Sequence, residues 1–117
     1  MSSPLTQGRI VRVTIRDSQG GNAKTRPAVV VTATAEIAAA DVVVVAAITS
    51  DLGRARSSET VELPWHPDRH PQTRLRKPSE VVCSWVAAVP VAALNDTGGF
   101  VPDDLLPELL AEVERLT

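Results

Sequence analysis

Two short runs of apolar residues restrict the fold of this chain more than any other feature of its sequence. Residues 28–31 read Ala-Val-Val-Val and residues 42–48 read Val-Val-Val-Val-Ala-Ala-Ile, with no polar residue inside either run. An apolar run of this length without alternation is typical of a strand buried on both faces, and is far shorter than the roughly 18 residues that span a bilayer. Because 17 of the 117 residues are valine, which prefers strands, the sequence predicts a β-dominated core.

Alternation and turn-forming residues indicate where the other strands lie. In residues 9–16, Val11, Val13 and Ile15 alternate with Arg12, Thr14 and Arg16, so one face of that strand is expected to be buried and the other solvated. Pro27 has no backbone N–H and is therefore expected only at the beginning of its strand. The predicted strands are residues 9–16, 27–32, 42–48, 60–63 and 80–89.

Loops and short helices are predicted between and after these strands. Residues 17–25 and 51–58 are polar and predict loops, and the four prolines of residues 64–78 exclude a helix there. The alanine-rich residues 34–40 predict one or two helical turns, and the chain closes on a helix with Pro107 at its first position. The apolar face of that helix is formed by Leu109, Leu110, Val113 and Leu116.

This pattern predicts a mainly β fold of the α+β class, in one domain that covers residues 1–117. Five strands with long polar loops suggest a small, strongly bent sheet or half-open barrel with helices at its margins. The amino-terminal residues show no basic and apolar targeting signal, so a cytoplasmic protein with no membrane contact is expected.

Several classes of functional site are excluded by what the chain lacks. The single cysteine, Cys83, excludes an internal disulfide, and prolines interrupt the segment that carries His66 and His70, so no metal or other cofactor is expected. Glycine-rich phosphate loops and Ser-His-Asp patterns are absent. The aromatic residues, Trp65, Trp85 and Phe100, are too few for a base-stacking platform, so any nucleic-acid binding must depend on charge and backbone contacts.

Basic residues are concentrated near the amino terminus. The first 31 residues carry five cations against the single acid Asp17: Arg9, Arg12, Arg16, Lys24 and Arg26. This excess fits a surface that faces a polyanion, and it equally fits an ordinary solvated strand face.

Polar residues lie at the ends of the two apolar strands. Thr25 and Arg26 precede the first apolar run, and Thr49 and Ser50 follow the second. In an antiparallel sheet the start of one strand and the end of its neighbour share an edge, which would bring a guanidinium and two hydroxyls together. Such a group is suited to bind a phosphate, although the same residues also occur as plain strand ends and turns.

These motifs resemble the MazF/PemK-type toxins of toxin–antitoxin pairs. The chain is similar to that family in four segments, in the same order and over residues 8–116: Gly-Arg-Ile-Val at 8–11, Lys-Thr-Arg-Pro-Ala-Val-Val-Val at 24–31, Val-Val-Ala-Ala-Ile-Thr-Ser at 44–50, and Leu-Arg-Lys-Pro-Ser-Glu-Val-Val-Cys at 75–83. The resemblance implies a small half-open SH3-like barrel of the plasmid-maintenance-toxin type with a C-terminal helix.

The resemblance also implies a function and site residues. It implies a homodimeric endoribonuclease that cleaves single-stranded RNA without metal, by attack of a ribose 2'-hydroxyl that leaves a 2',3'-cyclic phosphate and a 5'-hydroxyl. The family's catalytic arginine corresponds to Arg26 and its catalytic hydroxyl residue to Thr49. A cognate antitoxin is expected to compete with RNA for the same groove. Residues expected to bind RNA are Ser50, Lys24, Arg54, Arg76 and Lys77.

Some questions stay open at the level of sequence. Many relatives follow the fifth-strand cysteine with an aspartate, whereas Ser84 stands there in this chain. The candidates for the proton acceptor are therefore Asp17, Asp51, Glu59, His66 and His70. A non-catalytic relative that binds RNA or an antitoxin is an alternative, and a CcdB-like gyrase inhibitor is a weaker one because the chain lacks that family's Trp-Gly-Ile ending.

Overall fold

Six antiparallel strands form one open sheet in the computed structural model, which describes residues 5–17, 20–52 and 57–117. The strands are β1 (Arg9–Arg16), β2 (Ala23–Val30), β3 (Val42–Thr49), β4 (Thr60–Leu63), β5 (Ser79–Pro90) and β6 (Asn95–Phe100). Their order across the sheet is β4-β5-β3-β2-β1-β6. The helices are α1 (Thr34–Ile37) and α2 (Leu106–Leu116). No helix in the described ranges is long and apolar enough to cross a membrane.

The two apolar runs form the centre of the sheet and are buried on both faces, as predicted, except that Val42 at the start of β3 is exposed. On the face that carries α2, here called the helix face, Val29 and Ala46 pack with Leu109 and Val113. On the opposite face, the core is formed by alternate residues of the same strands together with Ile37 of α1. Each central strand thus contributes side chains to two cores, which explains why the runs contain no polar residue.

The C-terminal helix is held by its apolar face and by one cation near its end. Leu109 is fully buried and Val113 nearly so, in agreement with the predicted apolar face. Arg115 donates to the Glu112 carboxylate at 2.7 Å and to the carbonyl of Ser58 at 2.8 Å. This second bond joins α2 to the 3₁₀ turn Ser57–Glu59 that precedes β4.

Two details of the strands correct the sequence prediction. β2 begins at Ala23, so Pro27 lies inside the strand and not at its start. The strand tolerates this proline because β2 pairs with β3 only over Ala28–Val30, which leaves Pro27 at an unpaired edge. Strand β6 was not predicted, since its sequence Asn-Asp-Thr-Gly-Gly-Phe has low β propensity and forms a strand through its pairing with β1.

The separation of β2 from β3 creates the site described below. The amino-terminal half of β2 pairs with β1 alone, whereas β3 continues to Thr49 in pairing with β5. The β3–β5 pairing has a register shift at the same place. Ala46 pairs with Val86, whereas Ile48, two residues further along β3, pairs with Val81. The two central strands therefore diverge at this end of the sheet and leave space between them.

Candidate active site at one end of the sheet

A cavity of about 630 Å³ lies where β2 and β3 separate. Its walls come from both strands, from β1 and from the segment that links β4 to β5, residues 64–78. Six cations line it: Arg12, Arg26, Arg69, Arg74, Arg76 and Lys77. Hydroxyl side chains stand between them, and no Asp, Glu or His of the described residues belongs to the lining. The cavity therefore favours an anionic ligand.

Arg26 and Thr49 both line this cavity, as the sequence predicted for strand ends on a common edge. The β2–β3 pairing ends at Ala28 with Ala47, and two further residues along each strand place Arg26 across from Thr49. Both side chains are half-buried. The strand geometry thus brings a guanidinium and a hydroxyl to opposite sides of the gap.

Trp85 holds the Arg26 guanidinium in place. The Arg26 Cζ lies 4.8 Å from the centroid of the Trp85 ring, a distance typical of a cation–π contact. The indole Nε1 of Trp85 donates to the carbonyl of Arg16 at 3.0 Å, which fixes the ring. The Nε of Arg26 is buried and has no hydrogen-bond partner. Arg26 is therefore positioned by the face of an aromatic ring.

The hydroxyl of Thr49 is oriented by the backbone that follows it. Its Oγ1 accepts a hydrogen bond from the backbone N–H of Asp51 at 3.1 Å. Because this bond uses a lone pair of the oxygen, the hydroxyl proton stays available as a donor. Ser50, which is exposed, adds a second hydroxyl to the cavity.

Hydrogen bonds give a defined shape to residues 64–78, although they contain neither helix nor strand, as predicted. The Nδ1 of His70 accepts the backbone N–H groups of Gln72 at 3.1 Å and Thr73 at 3.2 Å. The buried hydroxyl of Thr73 donates to the Pro64 carbonyl at 2.7 Å and accepts from the N–H of Leu75. These bonds hold the four cations of the segment against the cavity.

The predicted RNA-binding residues divide into three groups. Ser50, Arg76 and Lys77 line the cavity together with Arg26 and Thr49. Lys24 is exposed on β2 and does not belong to the lining. Arg54 lies outside the described residues.

None of the sequence candidates for the proton acceptor lines the cavity. His66 and His70 each use Nδ1 to accept backbone N–H groups, which assigns them to the shape of the loop. Glu59 accepts a hydrogen bond from Ser84, and Asp17 borders a separate pocket beside Trp85. Asp51 contributes its main-chain N–H to Thr49.

Glu80 is a carboxylate that the sequence analysis missed. It pairs directly with Thr49 across the β3–β5 ladder, and its side chain is only 6% exposed. In the described part of the chain, the buried side-chain atoms without a hydrogen-bond partner are the Glu80 Oε1 and the Arg26 Nε. These two unpartnered atoms belong to the residues that flank Thr49. The sequence gives no sign of this, because Glu80 opens a strand like any solvated residue.

The fold of this chain, a small open sheet with a C-terminal helix, is also found in solved structures of toxins. The structure is similar to MazF (Form-I) from Deinococcus radiodurans, with a TM-score of 0.72, 19% identity, and coverage of 98% of this chain and 97% of that chain. It is also similar to the Mycobacterium tuberculosis toxin MazF-mt6, with a TM-score of 0.66, 23% identity, and coverage of 90% and 91%.

A third similar structure is an endoribonuclease in complex with its cognate antitoxin from Mycobacterial species, with a TM-score of 0.70, 15% identity, and coverage of 96% of this chain and 93% of that chain. At these identities the likeness establishes the fold. No curated protein matches the chain in sequence. The family model of PemK-like, MazF-like toxins of type II toxin–antitoxin systems matches residues 6–117. The chain therefore belongs to this toxin family.

Proposed function

We propose that this chain is a toxin endoribonuclease that cleaves single-stranded RNA without a metal ion. The observation that carries the proposal is the presence of Arg26 and Thr49 in one cavity lined by six cations. Membership of the toxin family and the likeness to a solved endoribonuclease support it.

The proposed reaction uses the ribose next to the scissile phosphate as its nucleophile. The 2'-hydroxyl loses its proton and its oxygen forms a bond to phosphorus, the bond from phosphorus to the 5'-oxygen breaks, and the departing 5'-oxygen takes a proton from water. The products are a 2',3'-cyclic phosphate and a 5'-hydroxyl. Negative charge accumulates on the non-bridging oxygens, where the guanidinium of Arg26 and the hydroxyl of Thr49 act as donors. In other enzymes, loss of one such preorganised donor lowers the rate by about 10²–10³-fold.

A proton acceptor is needed for the attacking hydroxyl, and we assign this role to Glu80. Its Oε1 has no partner, and the residue stands directly opposite Thr49. It contacts substrate only if the side chain turns from its buried position toward the cavity. Glu80→Gln removes the acceptor at constant shape and is expected to lower the rate by about 10²–10⁴-fold. Glu62→Gln, which changes the exposed carboxylate opposite Glu80 on β4, is the matched control.

The partners follow from the same site. We infer that a cognate antitoxin covers the cavity with acidic side chains that compete for Arg26, and that two copies of the chain form a homodimer. The solved complexes of MazE with MazF support an antitoxin partner. The antitoxin and the RNA should compete for binding, because the acidic side chains of one and the phosphates of the other need the same guanidinium groups.

The test is cleavage of single-stranded RNA by the purified protein in EDTA. The wild-type protein should cut, and Arg26→Ala should not, with unchanged folding by circular dichroism. Arg16→Ala is the control, since Arg16 is an exposed cation of β1 outside the cavity lining. Intact RNA at high wild-type concentration would reject the nuclease. Binding without cleavage would instead identify a non-catalytic relative that keeps the groove.

A further inference from the structure

Two arginines of residues 64–78 adopt a backbone conformation that arginine rarely adopts. Arg69 has a φ of 83° and Arg74 a φ of 66°, and no other non-glycine residue in the described ranges has a positive φ. Side chains with a Cβ are strained in this left-handed region, whereas glycine is not. Strained residues that persist in a fold are often found at functional sites, so the choice of arginine at both positions needs an explanation.

The surrounding structure imposes this conformation on both arginines. The backbone N–H of Arg74 donates to the carbonyl of His70 at 2.9 Å, and that of Arg69 donates to the carbonyl of His66 at 2.9 Å. Strand β6 closes the segment from outside, where the N–H of Phe100 donates to the carbonyl of Gln72 at 2.9 Å. The segment is therefore a firm support for two guanidinium groups and not a free loop.

Both arginines line the cavity, and neither has a carboxylate partner in the described structure. Arg69 and Arg74 reach the cavity from residues 64–78, the segment that links β4 to β5. The Arg26 guanidinium lies instead at the Trp85 ring, which packs with the core opposite the helix face. Cations that line one cavity from two sides can contact more than one phosphate of a bound chain. This arrangement favours a nucleotide chain, which carries one phosphate for each residue.

We propose that Arg69 and Arg74 form an anion clamp that binds the phosphates of single-stranded RNA adjacent to the phosphate at Arg26. The identity of the polyanion rests on the proposed function above. The clamp is a binding device: each arginine offers a planar fork of donors to phosphate oxygens, and the strained backbone fixes where that fork points. Loss of the clamp weakens the complex with RNA and lowers the salt dependence of RNA affinity.

Glycine substitution separates binding from stability in a matched pair. Arg74→Gly removes the charge and also relieves the strain, so RNA affinity should fall about tenfold while Tm stays the same or rises by roughly 2–6 °C. Arg76→Gly removes a cation of the same cavity at a residue without positive φ, so affinity should fall while Tm also falls by a few degrees. Arg69→Gly should behave as Arg74→Gly does.

The probe is a short single-stranded RNA with 2'-O-methyl riboses, which keeps every phosphate and cannot be cut by 2'-hydroxyl attack. The slope of log K against log salt should be lower by about 0.7 for each clamp arginine removed. The clamp is overturned if the Arg69→Gly, Arg74→Gly double variant binds this probe with wild-type affinity and slope. It is also overturned if that variant loses affinity for polyglutamate and not for RNA, which would indicate an acidic protein as the ligand.

The clamp and the nuclease can fail separately in this design. If the wild-type protein binds the methylated probe through Arg69 and Arg74 but does not cut unmodified RNA, the clamp is supported and the nuclease is rejected. If the wild-type protein cuts RNA and the double variant binds and cuts equally well, the clamp alone is rejected.

Discussion

Replacement of Trp85 should impair the site through Arg26, without removing any group that is proposed to touch RNA. The ring lies 4.8 Å from the Arg26 Cζ, and its Nε1 donates to the carbonyl of Arg16. Trp85→Leu keeps an apolar side chain and removes both interactions. Trp85→Phe keeps a smaller aromatic face and removes only the hydrogen bond.

The size of the effect follows from the two interactions. A partly buried cation–π contact contributes about 0.5–2 kcal/mol, and a neutral hydrogen bond about 1 kcal/mol. The free energy of unfolding should therefore fall by about 1.5–3 kcal/mol in Trp85→Leu and by about 1 kcal/mol in Trp85→Phe. Because the stack holds Arg26 in the cavity, the loss of about 0.5–2 kcal/mol should slow cleavage by roughly 2–30-fold.

Two assays check these magnitudes. Urea unfolding of Trp85→Leu, Arg26→Met and the double variant gives a coupling energy, which should be about 0.5–2 kcal/mol. Single-turnover cleavage at saturating protein gives the rate, with Trp65→Leu as control because Trp65 is 42% exposed and outside the cavity lining. A coupling energy near zero, or a folded Trp85→Leu protein that cuts at the wild-type rate, would refute the reasoning.

Three further predictions concern groups away from the reaction. Burial, and next the charges of Glu112 and Glu108, raise the pKa of Cys83 from 9.0 to about 11. At pH 8 the thiol of the native protein should therefore react with a disulfide reagent at least about 100-fold more slowly than the thiol of the unfolded protein. The protonated thiol stabilises the fold below pH 9, and this contribution should be lost as pH rises from 9 through 11. A hydrogen bond from Arg9 lowers the pKa of Asp96 below 3.8. The Arg9–Asp96 pair should therefore stabilise the fold above pH 3.8. The Tm difference between wild type and Asp96→Asn should vanish as pH falls through the lowered pKa of the native carboxylate. Gly99→Ala should lower stability by about 1–3 kcal/mol in urea unfolding, because a Cβ there would overlap the Thr73 carbonyl oxygen; a wild-type midpoint would contradict this.

Much of the sheet could be predicted because its strands carry their own signals. Alternation in β1 and the two apolar runs located three strands, and antiparallel geometry then brought Arg26 and Thr49 to one edge. Strand β6 could not be predicted in this way, since its residues form a strand only because β1 offers unpaired backbone groups. The position of Pro27 depends on where β3 stops pairing, which is a property of the assembled sheet.

The parts of the site that escaped prediction all depend on contacts between distant residues. Trp85 supports Arg26 from another strand, and Glu80 meets Thr49 through a register shift in β5. Arg69 and Arg74 have a left-handed backbone, and neither position holds the glycine or asparagine that normally signals this conformation in a sequence. The sequence located Arg26 and Thr49, which the structure places in one cavity, whereas the contacts around them required the fold.

The most direct test of the central claim is the chemistry of the RNA ends produced in EDTA. An RNA with one cleaved linkage should give a 2',3'-cyclic phosphate and a 5'-hydroxyl, identified by mass spectrometry. A single 2'-deoxyribose on the 5' side of that linkage should abolish the cut, and Arg26→Ala should abolish it in the unmodified RNA. Continued cleavage at the deoxy position, or products with a 5'-phosphate, would contradict attack by the 2'-hydroxyl in the cavity of Arg26 and Thr49.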